Sequence, residues 1–237
     1  MHIADLSAAQ SASELDLISQ HLVLKDTVIL ELGCGKAQLT RAIAEQFTPQ
    51  KIIATEVDSL QHAANLASDY PTCIEFRADG AQAIQLPDNS VDVVFMFKSL
   101  HHVPVELMPQ AFQEIARVLK PGGIAWISEP IYAGAFNEVL RLFHDEQKVR
   151  EQAFQQTQQA VESGLLELKQ QIFFNAKTHF ADFAEFEQRI IGVTHTKHVL
   201  SPELYAQVKA AFNQHVVGTE GATFINPQRI DCLQKAA

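Results

Sequence analysis

Apolar positions along the chain change period in a regular order. Short runs dense in Val, Ile, Leu and Phe occur at 28–32, 51–56, 73–77, 91–97 and 124–129. Between them, apolar residues recur every three or four positions, as in Leu15, Leu17, Ile18 and Leu22, or Leu39, Ile43, Ala44 and Phe47. The first pattern predicts buried strands and the second amphipathic helices that pack on them. Ser13 caps the first helix, Pro49 stops the second, and Asp58 is expected to cap a third from Leu60 to Ser68. After the fifth strand the pattern changes. Residues 134–163 read as a long, Gln-rich helical stretch ended by Gly164, followed by a strand near Gln171–Asn175, a helix from Pro202 to about His215 and a last strand near Ala222–Asp231. Pro227 inside that last run blurs its limits. Ten of the fifteen phenylalanines lie after residue 135, so this region has much apolar surface to bury, and part of it could line a lid over 134–190.

The first strand ends in Glu31-Leu32-Gly33-Cys34-Gly35-Lys36-Ala37. Two glycines one residue apart let the backbone turn sharply and approach a ligand without a Cβ in the way. A dinucleotide fingerprint needs a third glycine where Gln38 stands, and a P-loop needs glycine at Leu30 and Ser or Thr at Ala37, so both fail. The second strand ends on Glu56, where a carboxylate can accept hydrogen bonds from both ribose hydroxyls. Glu56 is preferred for this to Asp58.

Length and charge narrow the classes. A chain of 237 residues fits one α/β domain with an elaboration. A net charge of -10 and a pI near 5.4 oppose a nucleic-acid partner, which draws affinity from Lys and Arg. No apolar run approaches the ~20 residues of a membrane helix and the start lacks signal-peptide character, so a cytoplasmic protein without a membrane partner is expected. Cys34, Cys73 and Cys232 fit neither a disulfide framework nor a zinc pattern. His195 and His198 stand three apart without supporting carboxylates or cysteines, so no metal is expected.

The turn resembles motif I of the class I S-adenosylmethionine-dependent methyltransferases, with Ala37 replacing its last glycine. Lys98-Ser99-Leu100-His101-His102-Val103-Pro104 and Ile115-Ala116-Arg117-Val118-Leu119-Lys120-Pro121-Gly122-Gly123 resemble the type 11 subfamily. The resemblance covers about residues 28–130. It implies a doubly wound, Rossmann-like sheet of seven strands, mostly parallel with an antiparallel C-terminal strand; the residues themselves, not the resemblance, add a mainly helical insertion after the fifth strand, all in one domain (1–237). It also implies S-adenosylmethionine as cofactor, held by Glu31, Gly33, Cys34, Gly35, Glu56 and Val57, by Asp79, Gly80 and Ala81 beside adenine, and by Phe97 and Lys98.

Methyl transfer from a sulfonium is an in-line displacement, so alignment is required and a base is optional. His101 and His102 are the candidate bases, although as chain neighbours they are not expected to point at one methyl group. Ser99, Glu129 and Tyr132 join Lys98 as candidate substrate contacts at the carboxyl ends of the strands. The Asn/Asp-Pro-Pro-aromatic motif for exocyclic amines, a Pro-Cys pair and a cysteine cluster are all absent. A small-molecule acceptor reacting through O, N or C remains, with an apolar or aromatic part, on a monomer or homodimer. The rivals are a nicotinamide-dependent oxidoreductase and a non-catalytic module that binds the same cofactor.

Overall fold

A computed structural model describes residues 1–7, 10–194 and 196–236. His195 lies outside the described residues. In chain order the elements are α1 (Glu14–His21), β1 (Val28–Leu32), α2 (Gln38–Phe47), β2 (Lys51–Thr55), α3 (Ser59–Leu66), β3 (Ile74–Arg77), β4 (Val91–Phe97), α4 (Met108–Val118) and β5 (Leu119–Pro130). They continue with α5 (Ala135–Leu140), α6 (Gln147–Glu162), β6 (Glu167–Phe180), α7 (Phe183–Phe186), α8 (Pro202–Asn213) and β7 (Ala222–Gln234). The strands form one sheet in the order β3-β2-β1-β4-β5-β7-β6. β1 to β5 pair in parallel, and β7 runs antiparallel to both of its neighbours. Among the described residues no helix is long and apolar enough to cross a membrane.

The period-two alternation of each strand serves two cores. Leu30, Leu32, Val94, Met96, Ala125 and Ile127 face one side, with Phe112 and Ile115 of α4 and Ala153 of α6. Ile29, Ile52, Val93, Phe95 and Trp126 face the other, against Leu17 and Ile18 of α1 and Ile43 and Ala44 of α2.

Three expectations change in detail. The segment Pro121-Gly122-Gly123 is a bulge inside β5 rather than a turn before it, since Val91 already pairs with Leu119 and Val93 with Ile124. A Cβ on Gly123 would meet the Lys120 carbonyl at 2.9 Å, so that tight path needs glycine. The long helix expected over 134–163 is broken at 141–146: the Asp145 carboxylate accepts the Gln147 amide at 3.1 Å and starts α6 afresh. β7 carries Pro227 without losing a ladder bond. Its partner Asn175 instead directs its N–H to Gln10 O (2.8 Å) and its carbonyl to the Ala12 N–H, both on the N-terminal arm.

Because Pro130 at the end of β5 pairs with Gln228, residues 175–180 of β6 and 222–227 of β7 overhang the carboxyl edge of the sheet. On this overhang Phe180 and Phe224 meet Phe183, Phe186 and Phe212 from α7 and α8, with Phe136 and Phe143 beside them. The rings pack mostly edge to face, at 5.0–6.5 Å between centroids. The late phenylalanines thus form a third core standing over the edge where the glycine turn lies. Phe212, fully buried at its centre, should cost about 3–5 kcal/mol when changed to Ala, read as a lower urea midpoint.

Candidate active site

β1 is flanked by β2 on one side and β4 on the other, so the chain order reverses there and a crevice opens at the carboxyl ends of β1 and β4. The glycine turn occupies it, with φ of +76° at Gly33, +52° at Gly35 and +49° at Ala37. A Cβ on Gly33 would lie 2.7 Å from the Ser99 Cβ, whereas one on Gly35 would meet nothing within 4 Å. One glycine lets two strand ends close together, and the other faces open space. The Gly33 and Cys34 amides donate to Thr55 O, and the Gly35 amide donates to Glu56 Oε2 at 2.8 Å. Glu56 Oε1 accepts the Asp58 amide at 2.9 Å. Asp58 itself caps α3, as expected, and also accepts the Thr194 hydroxyl. α2 has no side-chain cap, which leaves its first amides to a ligand.

The segment after β4 has one side on this turn and the other on a cavity. Ser99 Oγ donates to Leu32 O at 2.7 Å. Leu100–His102 form a 3₁₀ turn, and Lys98, His101 and His102 line a cavity of about 360 Å³. Glu146, Arg150 and His144 complete its polar side, while Ile131, Phe136, Leu140 and Ile190 make it apolar. The 3₁₀ turn sets the two histidine rings 4.1 Å apart between centroids, and both border one cavity.

His101 is buried between two carboxylates. Nδ1 pairs with Glu129, and Nε2 lies 3.5 Å from Glu146 Oε1. Burial pulls its pKa down, but Glu129 and Glu146 outweigh it and raise the value to about 9. His101 is therefore an imidazolium at neutral pH, holding the 3₁₀ turn to β5 and α6. Glu129 also accepts the Leu100 amide at 3.0 Å, and Arg150 donates to Glu146 at 2.5 Å. His101, His102 and Glu146 can bring one ligand atom each within 4.8 Å of one another, and Glu146 is at the same time held by Arg150.

Comparison with known proteins agrees with this geometry. Residues 29–123 match a family model described as a methyltransferase domain. An uncharacterized methyltransferase-like protein of Schizosaccharomyces pombe is 36% identical over 126 residues, 51% of this chain and 46% of that one. The demethylmenaquinone methyltransferase of Symbiobacterium thermophilum is 33% identical over 100 residues, 40% of this chain and 39% of that one. The chain thus spans less than half the length of either relative. The crystal structure of the YcgJ protein of Bacillus subtilis superposes with a TM-score of 0.65 at 17% identity, covering 93% of this chain and 97% of the other. Over residues 29–123 the chain is thus similar to S-adenosylmethionine-dependent methyltransferases.

The cofactor of this domain family fits the crevice: Gly35 leaves room, α2 is uncapped, Glu56 stands at the end of β2, and Val57 beside it is 70% exposed, apolar and available to an adenosine. The other expected cofactor residues are placed unevenly. Asp79, half-buried, accepts the Gln85 amide at 3.3 Å, and the Gln82 side-chain amide packs against Gly80. The Ala81 side chain belongs to the core, while Phe97 stacks on Phe95 with Lys98 exposed beside it. Cys34 is buried, and its thiol stays protonated because burial and the carboxylates of Glu31 and Glu56 push its pKa up. Glu31 points inward and accepts the Thr40 hydroxyl at 2.7 Å. It acts on the turn from behind.

Of the expected substrate contacts, Lys98 and the two histidines reach the cavity. Ser99 and Glu129 are used as struts, and Tyr132 is not part of the lining. Glu146, His144 and Arg150 were missed in the sequence. They lie more than forty residues from His101, and the only local signal was the charged break His144-Asp145-Glu146 in a Gln-rich stretch.

Glu31 generates a pH prediction. Burial raises its pKa to about 7, against the Thr40 hydrogen bond, which lowers it. The folded protein then binds more protons than the unfolded chain between about pH 4.5 and 7, so this group's contribution falls as pH rises through that window. Glu31→Gln should remove the loss. In urea titrations the variant should gain on wild type between pH 4.5 and 7, by about 3 kcal/mol at most, with a flat difference above.

Proposed function

We propose that this chain transfers the methyl group of S-adenosylmethionine to a small-molecule acceptor bound in the cavity beside Lys98 and His102. The observation that carries the reading is that one short segment, residues 97–102, backs on the glycine turn through Ser99 and fronts the cavity through Lys98 and the histidines. Donor and acceptor are then neighbours across a single strand end. In-line displacement needs such placement, and alignment of this kind contributes on the order of 7 kcal/mol or more. Glu56 takes the ribose hydroxyls, and the first amides of α2 meet the methionine carboxylate. The apolar side of the cavity suits an acceptor with an apolar or aromatic part. The aromatic third core and its connections act as the lid, which excludes water from the sulfonium.

Where the nucleophile is a hydroxyl or an acidic carbon, His102 receives its proton. His101 already carries a proton on each ring nitrogen and works as a positioning residue.

Calorimetry should show S-adenosylmethionine binding to the full chain, with affinity reduced at least about tenfold in Glu56→Ala, the scale of lost hydrogen bonds to a charged group. A preference for NADH would overturn the reading. With an acceptor identified, His102→Ala should lower turnover by about 10²-fold or more while leaving S-adenosylmethionine binding intact.

A further inference from the structure

Acids outnumber bases in this chain, 28 to 18, yet the cavity reverses the balance. Its lining includes Lys98, Arg150 and Arg189, and a single acid, Glu146. Glu146 is already consumed by Arg150 and His101, and Arg189 is paired with Glu185. Lys98 differs: among the described residues its ammonium forms no salt bridge, the Glu14 carboxylate acting on it only through the electrostatic field, and its side chain is exposed at the cavity wall.

The Lys98 backbone adds a second observation. Its φ of +56° is left-handed, a conformation that crowds the Cβ of any residue but glycine. The Lys98 amide is held there by Ser128 O at 2.7 Å. A long charged side chain kept at a strained position on a cavity wall, outside any salt bridge, is the kind of strain that collects at ligand sites. Four further cavity residues carry buried polar atoms without a partner: the N–H groups of Asn137 (Nδ2) and Arg150 (Nε), the Nε2 of His198 and the carbonyl oxygen of Gln228. Buried polar atoms of this sort are normally satisfied in the working state. Ile131, Phe136 and Leu140 add apolar side chains to the lining.

We infer that the cavity selects an organic anion, an amphiphile whose carboxylate or phosphate oxygens pair with Lys98 near Arg150 and whose apolar body lies on Ile131, Phe136 and Leu140. This rests on the methyl-transfer reading for its role as acceptor, but its binding can be read separately. A cationic wall also disfavours protonated amines, so amine acceptors that carry no acid group are excluded from this site.

The test is calorimetry on the full chain, with and without S-adenosylhomocysteine, using octanoate, octyl phosphate, octanamide and octylamine as probes. At least one of the two anions should bind ten or more times more tightly than the neutral amide, which separates the carboxylate from the phosphate source, and the amine should be weakest. The preference should shrink as salt rises and be lost in Lys98→Met. Equal binding of amide and anion, tighter binding of the amine, or an anion preference that survives Lys98→Met would overturn the inference. Should the variant fail to fold, the wild-type salt series and the four-probe ranking decide. Failure of S-adenosylhomocysteine to bind would count against the proposed function alone, because the probe ranking is also measured without it.

Discussion

The Glu56 carboxylate is the contact on which the site depends. Its two oxygens accept the Gly35 amide and the Asp58 amide, so one buried side chain fixes the glycine turn of β1 against the start of α3. A charged acceptor of two backbone N–H groups is stronger than a neutral one and offsets the cost of placing a carboxylate in a buried position. Each oxygen keeps a further lone pair for a ribose hydroxyl. In the proposed function the group that builds the turn is also the one that meets the cofactor.

A second buried network does for the acceptor side what Glu56 does for the donor side. The protonated His101 lies between Glu129 of β5 and Glu146 at the start of α6. Arg229 and Asp231 continue the alternation of charge along β7, and Arg229 also covers the Phe154 ring of α6 at 4.4 Å. Removing one member of such a chain leaves an uncompensated buried charge, which is far costlier than the pair is stabilising. The network therefore specifies where the 3₁₀ turn sits, and with it where Lys98 and His102 point, more than it adds to overall stability.

How far the sequence could be read follows from distance along the chain. Strands, the helices that cover them and the glycine turn are local patterns, and their limits fell within a few residues. The place of Glu56 beside the glycine turn was legible because one strand ends beside the next. The break between α5 and α6 was not, since Phe136, Leu140, Phe143 and Phe154 keep a helical rhythm through an Asp145 turn that only the side chain reveals. Glu31 also braces Thr40 of α2, a contact the sequence did not suggest because an acid at a strand end can face either way. The aromatic region was recognised by composition, but its packing draws on residues as far as Phe224. The Glu146–His101 contact joins segments that share no periodic signal.

The central claim is that the glycine turn holds the donor with its sulfur facing the cavity of Lys98 and His102. The most direct measurement is a crystal structure of the full chain with S-adenosylhomocysteine. The account predicts both ribose hydroxyls within hydrogen-bond distance of Glu56 and the sulfur at the mouth of the cavity, beside the segment from Phe97 to His102. Product bound with its sulfur turned away from that cavity, or lodged elsewhere with Glu56 still engaged only by Gly35 and Asp58, would contradict it.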